Sequence, residues 1–172
     1  MPLELLNNAL THGRRNSYRD ASVWVCAQYF RANDQIAIGI VDNGCGILGS
    51  LERHPKLVSK TDAAALWLAL EPRVSCNREV GVIGETANAG IGLTTTYRIA
   101  KAVDGAILII SGSAAIEDLS HEADGRTKEG LAAWQGTIMS LKLNRTKLMG
   151  VNFRSLMPPR DIPREAPGIR FE

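Results

Sequence analysis

The chain has 172 residues, 45% of them hydrophobic and 22% charged, with a net charge of +2 at pH 7. That apolar content can bury one core and points to a single domain. The near-balanced charge gives no electrostatic case for a nucleic-acid partner, the 5% aromatic content argues against a base-stacking platform, and no apolar run is long enough to span a bilayer.

Met1–Gly13 contains Glu4 and two asparagines and does not read as a signal peptide. The three cysteines, Cys26, Cys45 and Cys76, are too widely spaced for a zinc or redox pair. A reduced, cytoplasmic setting is the expectation, with Cys26 a small core residue on a strand.

Residues 3–12 read as a helix, with Leu3, Leu6 and Leu10 on one stripe. Glu4, Asn8 and His12 follow one another at intervals of four and share a face. Arg14–Asp20 is a basic connector. Ser22–Arg31 then alternates, with Val23, Val25, Ala27 and Tyr29 on one side, and reads as a strand. Ala32–Gln35 supplies a turn and Ile36–Val41 returns as a second strand. The hairpin delivers Asp42 to one end of a sheet. Asp42-Asn43-Gly44-Cys45-Gly46-Ile47 comes next: a carboxylate beside two glycines, where the backbone can bend and another group can approach closely.

Leu48–Ala89 is a long middle stretch. Asp62–Leu70 reads as a helix capped by Thr61, with Pro72 just beyond its end. Glu71–Ala89 has no period and reads as a loop of functional length. Leu93–Val103 reads as a helix opening directly after Gly90-Ile91-Gly92, which leaves its first N–H groups able to meet an anion. Asp104-Gly105 ends it. Ala106–Ile110 is an apolar strand, and Ser111–Gln135 a polar stretch with one short strand near Ala114–Leu119. Gly136–Leu143 is the last strand, with Met139, Leu141 and Leu143 inward. Asn144–Glu172, with four prolines among arginine and glutamate, reads as an extended tail.

The tally is four or five strands, two long helices and a smaller one, without a repeating βαβ pattern. The early hairpin disfavours a doubly wound sheet, and Gly-x-x-x-x-Gly-Lys-[Ser/Thr] is absent from the sequence.

Four stretches in order resemble the motifs of the GHKL ATPase superfamily, which includes gyrase B, MutL, heat-shock chaperone ATPases, sensor histidine kinases and anti-sigma-factor serine kinases. Glu4–Gly13 is similar to its N box, Asp42–Gly46 to its G1 box, Gly90–Leu93 to its G2 box and Gly136-Thr137 to its late Gly-Thr. The resemblance spans about residues 3 to 143.

It implies a two-layer α/β sandwich of α+β type, in which a mixed, mostly antiparallel sheet carries helices on one face. The nucleotide-binding domain would occupy residues 1–144, with a lid at about 48–92 and the tail at 145–172. It further implies ATP and Mg²⁺ as cofactors. Asp42 would accept from the adenine amino group, and Gly44, Gly46 and Ile47 would bring backbone to the base. Thr137 would meet the same edge. Asn8 would ligate Mg²⁺, with His12 nearby, and Gly90, Ile91, Gly92 and Leu93 would offer N–H groups to the phosphates. Glu4 would be the general base.

The activity implied is ATP hydrolysis or γ-phosphate transfer to a protein, in a serine/threonine kinase-like or histidine-kinase-like module. Asn8-Ala9-Leu10-Thr11-His12-Gly13 leans toward the anti-sigma-factor kinases. The other reading of the same residues is a nucleotide-sensing regulatory domain without turnover. A protein partner or phospho-acceptor is expected, nucleic acid and membrane are not, and a homodimer is compatible with the motifs.

Overall fold

Val23–Phe30 (β1) and Gln35–Asp42 (β2) pair antiparallel without interruption, Val23 facing Asp42 and Phe30 facing Gln35. The turn between them is a 3-10 turn at Arg31–Asn33 followed by Asp34 in the left-handed region, φ 47°. Aspartate tolerates that conformation because its short polar side chain bonds locally. Here the Asp34 carboxylate accepts from the Tyr29 hydroxyl at 3.0 Å and from the Thr146 N–H at 2.9 Å. Bonds from the Thr146 side chain and backbone, with a smaller contribution from Tyr29, hold its pKa below the ordinary carboxylate value. The hairpin read from period two is therefore present, closed by its own side-chain chemistry.

The computed structural model describes residues 22–74, 92–118 and 125–157. Its remaining strands are Ala106–Gly112 (β3), Ala114–Asp118 (β4), Arg126–Lys128 (β5) and Trp134–Asn144 (β6). They form one sheet in the order β1-β2-β6-β3-β4-β5, and every neighbouring pair is antiparallel. Among the described residues the sheet is thus wholly antiparallel where a mixed, mostly antiparallel one was expected, and it has six strands rather than four or five. The extra strand, β5, is Arg-Thr-Lys. All three residues are exposed, so no apolar alternation marks it.

The register sorts the sheet's two faces. Ile38, Leu141 and Ile107 lie in one row, and Ile40, Met139, Ile109 and Ile116 in the next. These rows are the floor of the main core. Its roof comes from helices: Ala63, Leu66 and Leu70 of Asp62–Leu70, and Ile99 and Ala100 of Gly92–Ala102, joined by Val103 beyond it. Burying side chains of this size contributes roughly 1.5–3 kcal/mol each. The result is an α+β fold, a sheet with helices against one face.

Five helices lie within the described residues: Gly46–Leu51 (α1), Asp62–Leu70 (α2), Gly92–Ala102 (α3), Arg145–Met149 (α4) and Phe153–Leu156 (α5). α2 is capped as expected, the Thr61 hydroxyl accepting from the Ala64 N–H at 3.2 Å. It is apolar nearly all round because it serves two clusters. Ala65 and Leu68 turn away from the main core and pack with Leu51, Leu57 and Val74. None of the described helices is long and apolar enough to cross a membrane.

The structure departs from the sequence reading at four places. Gly46–Leu51, to which the sequence assigns no element, is helical, and Leu51 is buried. A six-residue helix shows too little of a 3.6-residue period to be seen. The expected extended tail from Asn144 is instead two short helices at its start. Asn144 caps α4 through the Lys147 N–H at 2.8 Å, and Asn152 caps α5 through the Arg154 N–H at 3.1 Å. Leu148, Val151 and Leu156 pack against the main core, and the Arg98 guanidinium donates to Leu156 O at 3.2 Å. Residues 158–172 lie outside the described residues. Finally, Cys26 is exposed rather than in the core, because it lies on the edge strand β1, whose residues after Val23 are exposed on both faces. At the end of α3, Asp104 takes the left-handed position, φ 49°, that glycine was expected to fill.

Candidate functional site

Asp42 is the last residue of β2, and its parity puts it on the core face, in line with Ile38 and Ile40. A carboxylate stands where the pattern would continue with an aliphatic side chain, and it is only 6% exposed. A buried carboxylate needs donors. The Gly44 N–H supplies one at 3.0 Å and the Thr137 N–H another at 3.2 Å, both to Oδ1. The Thr137 hydroxyl also bonds to the carboxylate. Burial raises the Asp42 pKa above the ordinary carboxylate value, and the bonds from Gly44 and Thr137 oppose that rise.

The backbone around this carboxylate is clamped. Trp134 Nε1 donates to Asp42 O at 2.9 Å and Gln135 Nε2 to Asn43 O at 2.9 Å. Asn43 in turn accepts the Ser22 N–H on Oδ1 at 2.7 Å. Gly136 has φ +104°, and a Cβ there would sit 2.1 Å from Asp42 O. Only glycine lets β6 pass this close to the end of β2.

Gly46, φ +70°, opens α1, and a Cβ on it would lie 2.9 Å from Ser111 Oγ. Ser111 is 1% exposed. Its hydroxyl accepts from the Ile47 N–H at 2.8 Å and donates to Gly136 O at 3.1 Å. One side chain on β3 therefore ties the loop after Asp42 to the segment that carries Thr137. Sequence reasoning missed it. The signal was present: Ile107, Ile109 and Ser111 share an inward face, so a hydroxyl breaks an apolar alternation at the same end of the sheet as Asp42.

Asp42, Gly44, Gly46, Ile47 and Thr137 are thus brought together, although Asp42 and Thr137 are 95 residues apart. Gly92 and Leu93 open α3 on the helix-covered side of the sheet. Gly92 is buried, and Leu93 packs on the main core. The start of α3 is tied to the end of α2 by Thr94, whose hydroxyl donates to Leu70 O at 2.9 Å. Glu4, Asn8, His12, Gly90 and Ile91 lie outside the described residues, as do Arg14 and Arg15. Lys101 bonds Asp118 at 2.8 Å. Asp118 is 2% exposed and also accepts from the Tyr97 hydroxyl.

Both backbone bonds at Asp42 fall on Oδ1, and an ionised carboxylate has acceptor sites on both oxygens. Chemically, the arrangement is a preorganised, buried acceptor flanked by a hydroxyl that can donate or accept. It suits a ligand edge that presents an N–H₂ beside a ring acceptor. No family model matches the chain, and no curated protein matches it.

Proposed function

We propose that the chain is an adenine-nucleotide-binding domain of GHKL type that takes ATP with Mg²⁺ and hydrolyses it or passes its γ-phosphate to a protein side chain. The observation that carries this reading is the convergence on Asp42. Three separated segments, the loop at 43–47, Ser111 on β3 and Gly136-Thr137 on β6, are hydrogen-bonded around one buried carboxylate. Such an acceptor selects adenine over guanine. Adenine offers an amino group at C6, where guanine offers a carbonyl oxygen that a carboxylate repels.

The chain's own residues divide the work. Asp42 accepts from the base amino group; Thr137 holds the carboxylate through its N–H, and its hydroxyl turns from the carboxylate to donate to the neighbouring ring nitrogen. The N–H groups at Gly92 and Leu93 face phosphate at the start of α3, where the helix dipole favours negative charge. Asn8 would hold magnesium, a hard ion suited to an amide oxygen, and the ion would offset phosphate charge. Glu4 would orient or deprotonate the attacking hydroxyl.

Thermal unfolding with Mg-ATP, Mg-ADP and Mg-GTP tests the reading. A ligand that binds only the native state stabilises it by RT ln(1 + [L]/Kd). The expected result is a rise in Tm with both adenine nucleotides and none with GTP. No rise with any of the three, or an equal rise with GTP, overturns it.

A further inference from the structure

The two edges of the sheet are built differently. β5, at one edge, is three residues long and carries Arg126 and Lys128. That is a guarded edge, short and charged. β1, at the other, is eight residues, Val23-Trp-Val-Cys-Ala-Gln-Tyr-Phe30, with no charge, no proline and no break in its register with β2. Trp24 is 53% exposed, Val25 52%, Tyr29 43% and Phe30 40%. Among the described residues β1 has no neighbour but β2. A long, uncharged edge strand presents unpaired N–H and C=O groups that invite another strand.

The register says which groups those are. Arg145 N–H donates to Asp34 O and Asn43 N–H donates to Ser22 O. Hydrogen-bonded pairs alternate along an antiparallel ladder. Even-numbered residues of β2 therefore bond β6 and odd-numbered ones bond β1. Through the pairing of Val41 with Trp24 and Gly39 with Cys26, the even residues of β1 point their backbone at β2. Val23, Val25, Ala27 and Tyr29 point theirs outward.

We propose that β1 is the seam of a homodimer, pairing antiparallel with β1 of a second copy about a two-fold axis at Cys26. A second copy fits this edge for three reasons. An uncharged strand meets no like charge in its own image. A two-fold axis generates an antiparallel neighbour automatically. In the register centred on Cys26, Val23 faces the second copy's Tyr29 and Val25 its Ala27. All four outward N–H and all four outward C=O groups of each strand are then paired. Registers centred on Val25 or Ala27 leave one of the four residues facing beyond the strand. The two sheets become one of twelve strands with both helical layers on the same side. This inference does not depend on the nucleotide reading.

The register makes a covalent signature available. Cys26 would face its own copy at a non-hydrogen-bonded position, where Cα atoms are about 4.5 Å apart. That lies inside the range a disulfide spans. The test uses the full chain carrying Cys45→Ser and Cys76→Ser, so that Cys26 is the remaining thiol. Light scattering after size exclusion is expected to give a dimer. Diamide, which accepts the two thiol hydrogens, is expected to convert it to a reducible covalent dimer. Ala27→Pro removes one outward N–H and no ladder bond to β2, and proline is tolerated on such an edge. It is expected to yield a folded monomer with unchanged circular dichroism and no covalent dimer. A parent chain that stays monomeric at high micromolar concentration overturns the proposal. So does a dimer that survives Ala27→Pro, or one that diamide fails to cross-link through Cys26.

Discussion

The main-chain N–H of Thr137 donates to Asp42 Oδ1 at 3.2 Å, joining the end of β2 to the start of β6 across 95 residues of chain. Everything in the candidate site is arranged around that bond. It fixes where the carboxylate points, and a second bond from Gly44 fixes its rotation.

The burial of Asp42 carries a pH signature. Its pKa is raised by burial, so the native state retains a proton that the unfolded chain has already lost just above the ordinary carboxylate value of 3.8. The stabilising contribution of this group is complete below that value and is lost as pH rises through the native-state pKa. Asp42→Asn keeps an oxygen for the Gly44 and Thr137 N–H groups and removes the buried charge. The stability of the variant relative to the parent, measured by urea titration without nucleotide, is expected to be more favourable at neutral pH than near pH 4. A difference independent of pH would contradict the burial argument.

Ser111 is predicted to be the hidden support of the site. Ser111→Ala leaves the Ile47 N–H without its acceptor and the Gly136 carbonyl without its donor, in a position closed to water. An unsatisfied buried polar group costs about 1–3 kcal/mol. At this chain size each kcal/mol lowers Tm by roughly 2–4 °C. The variant is expected to unfold several degrees lower and to bind ATP more weakly, because α1 is no longer held to β6. A parent-like Tm would show that the hydroxyl is not needed.

Lys101 is predicted to be structural. Lys101→Met keeps the apolar stem and strips Asp118, itself buried, of its cation. Loss of a hydrogen bond to a charged group costs about 1.5–3 kcal/mol, toward the lower end here because the lysine is one-third exposed. A lower Tm with unchanged ATP affinity is expected. A loss of affinity without a loss of stability would instead place Lys101 at the phosphates.

Glu4 separates turnover from binding. If it acts as the base, Glu4→Ala is expected to lower kcat by roughly 10²–10⁴-fold and leave ATP binding intact. A parent chain as inert as the variant, while binding ATP equally, would favour the nucleotide-sensing reading.

Much of the fold was legible because strong periods mark it. The β1–β2 hairpin, α2 with its Thr61 cap, α3 and the inward face of β6 follow from spacing alone. β5, α1 and the helices at 145–156 were not. Each is too short to show a period, and each is held by tertiary partners: Lys128 opposite Ala115, Ile47 on Ser111, Leu148 and Leu156 on the core. In the site, Asp42, Gly44, Gly46 and Thr137 were legible as motifs. Ser111 was marked only by a break in the inward apolar alternation of β3, and its partners depend on strand register, which local pattern does not set. Cys26 was misjudged for a related reason: a strand's period identifies its two faces but not whether the strand lies at the edge of the sheet, where both are exposed.

The central claim is that Asp42 accepts from the six-position amino group of adenine. Titration calorimetry with Mg-ATP and Mg-ITP, which carries an oxygen in place of that amino group, tests it in the parent and in Asp42→Asn. The account predicts that the parent prefers ATP by about 1–3 kcal/mol, the penalty for an unmatched buried polar pair, or roughly 5-fold to 150-fold in Kd. It predicts that Asp42→Asn loses or reverses this preference, since its amide can donate to the oxygen. Equal affinity for both nucleotides in the parent, or an undiminished preference for ATP in Asp42→Asn, would contradict it.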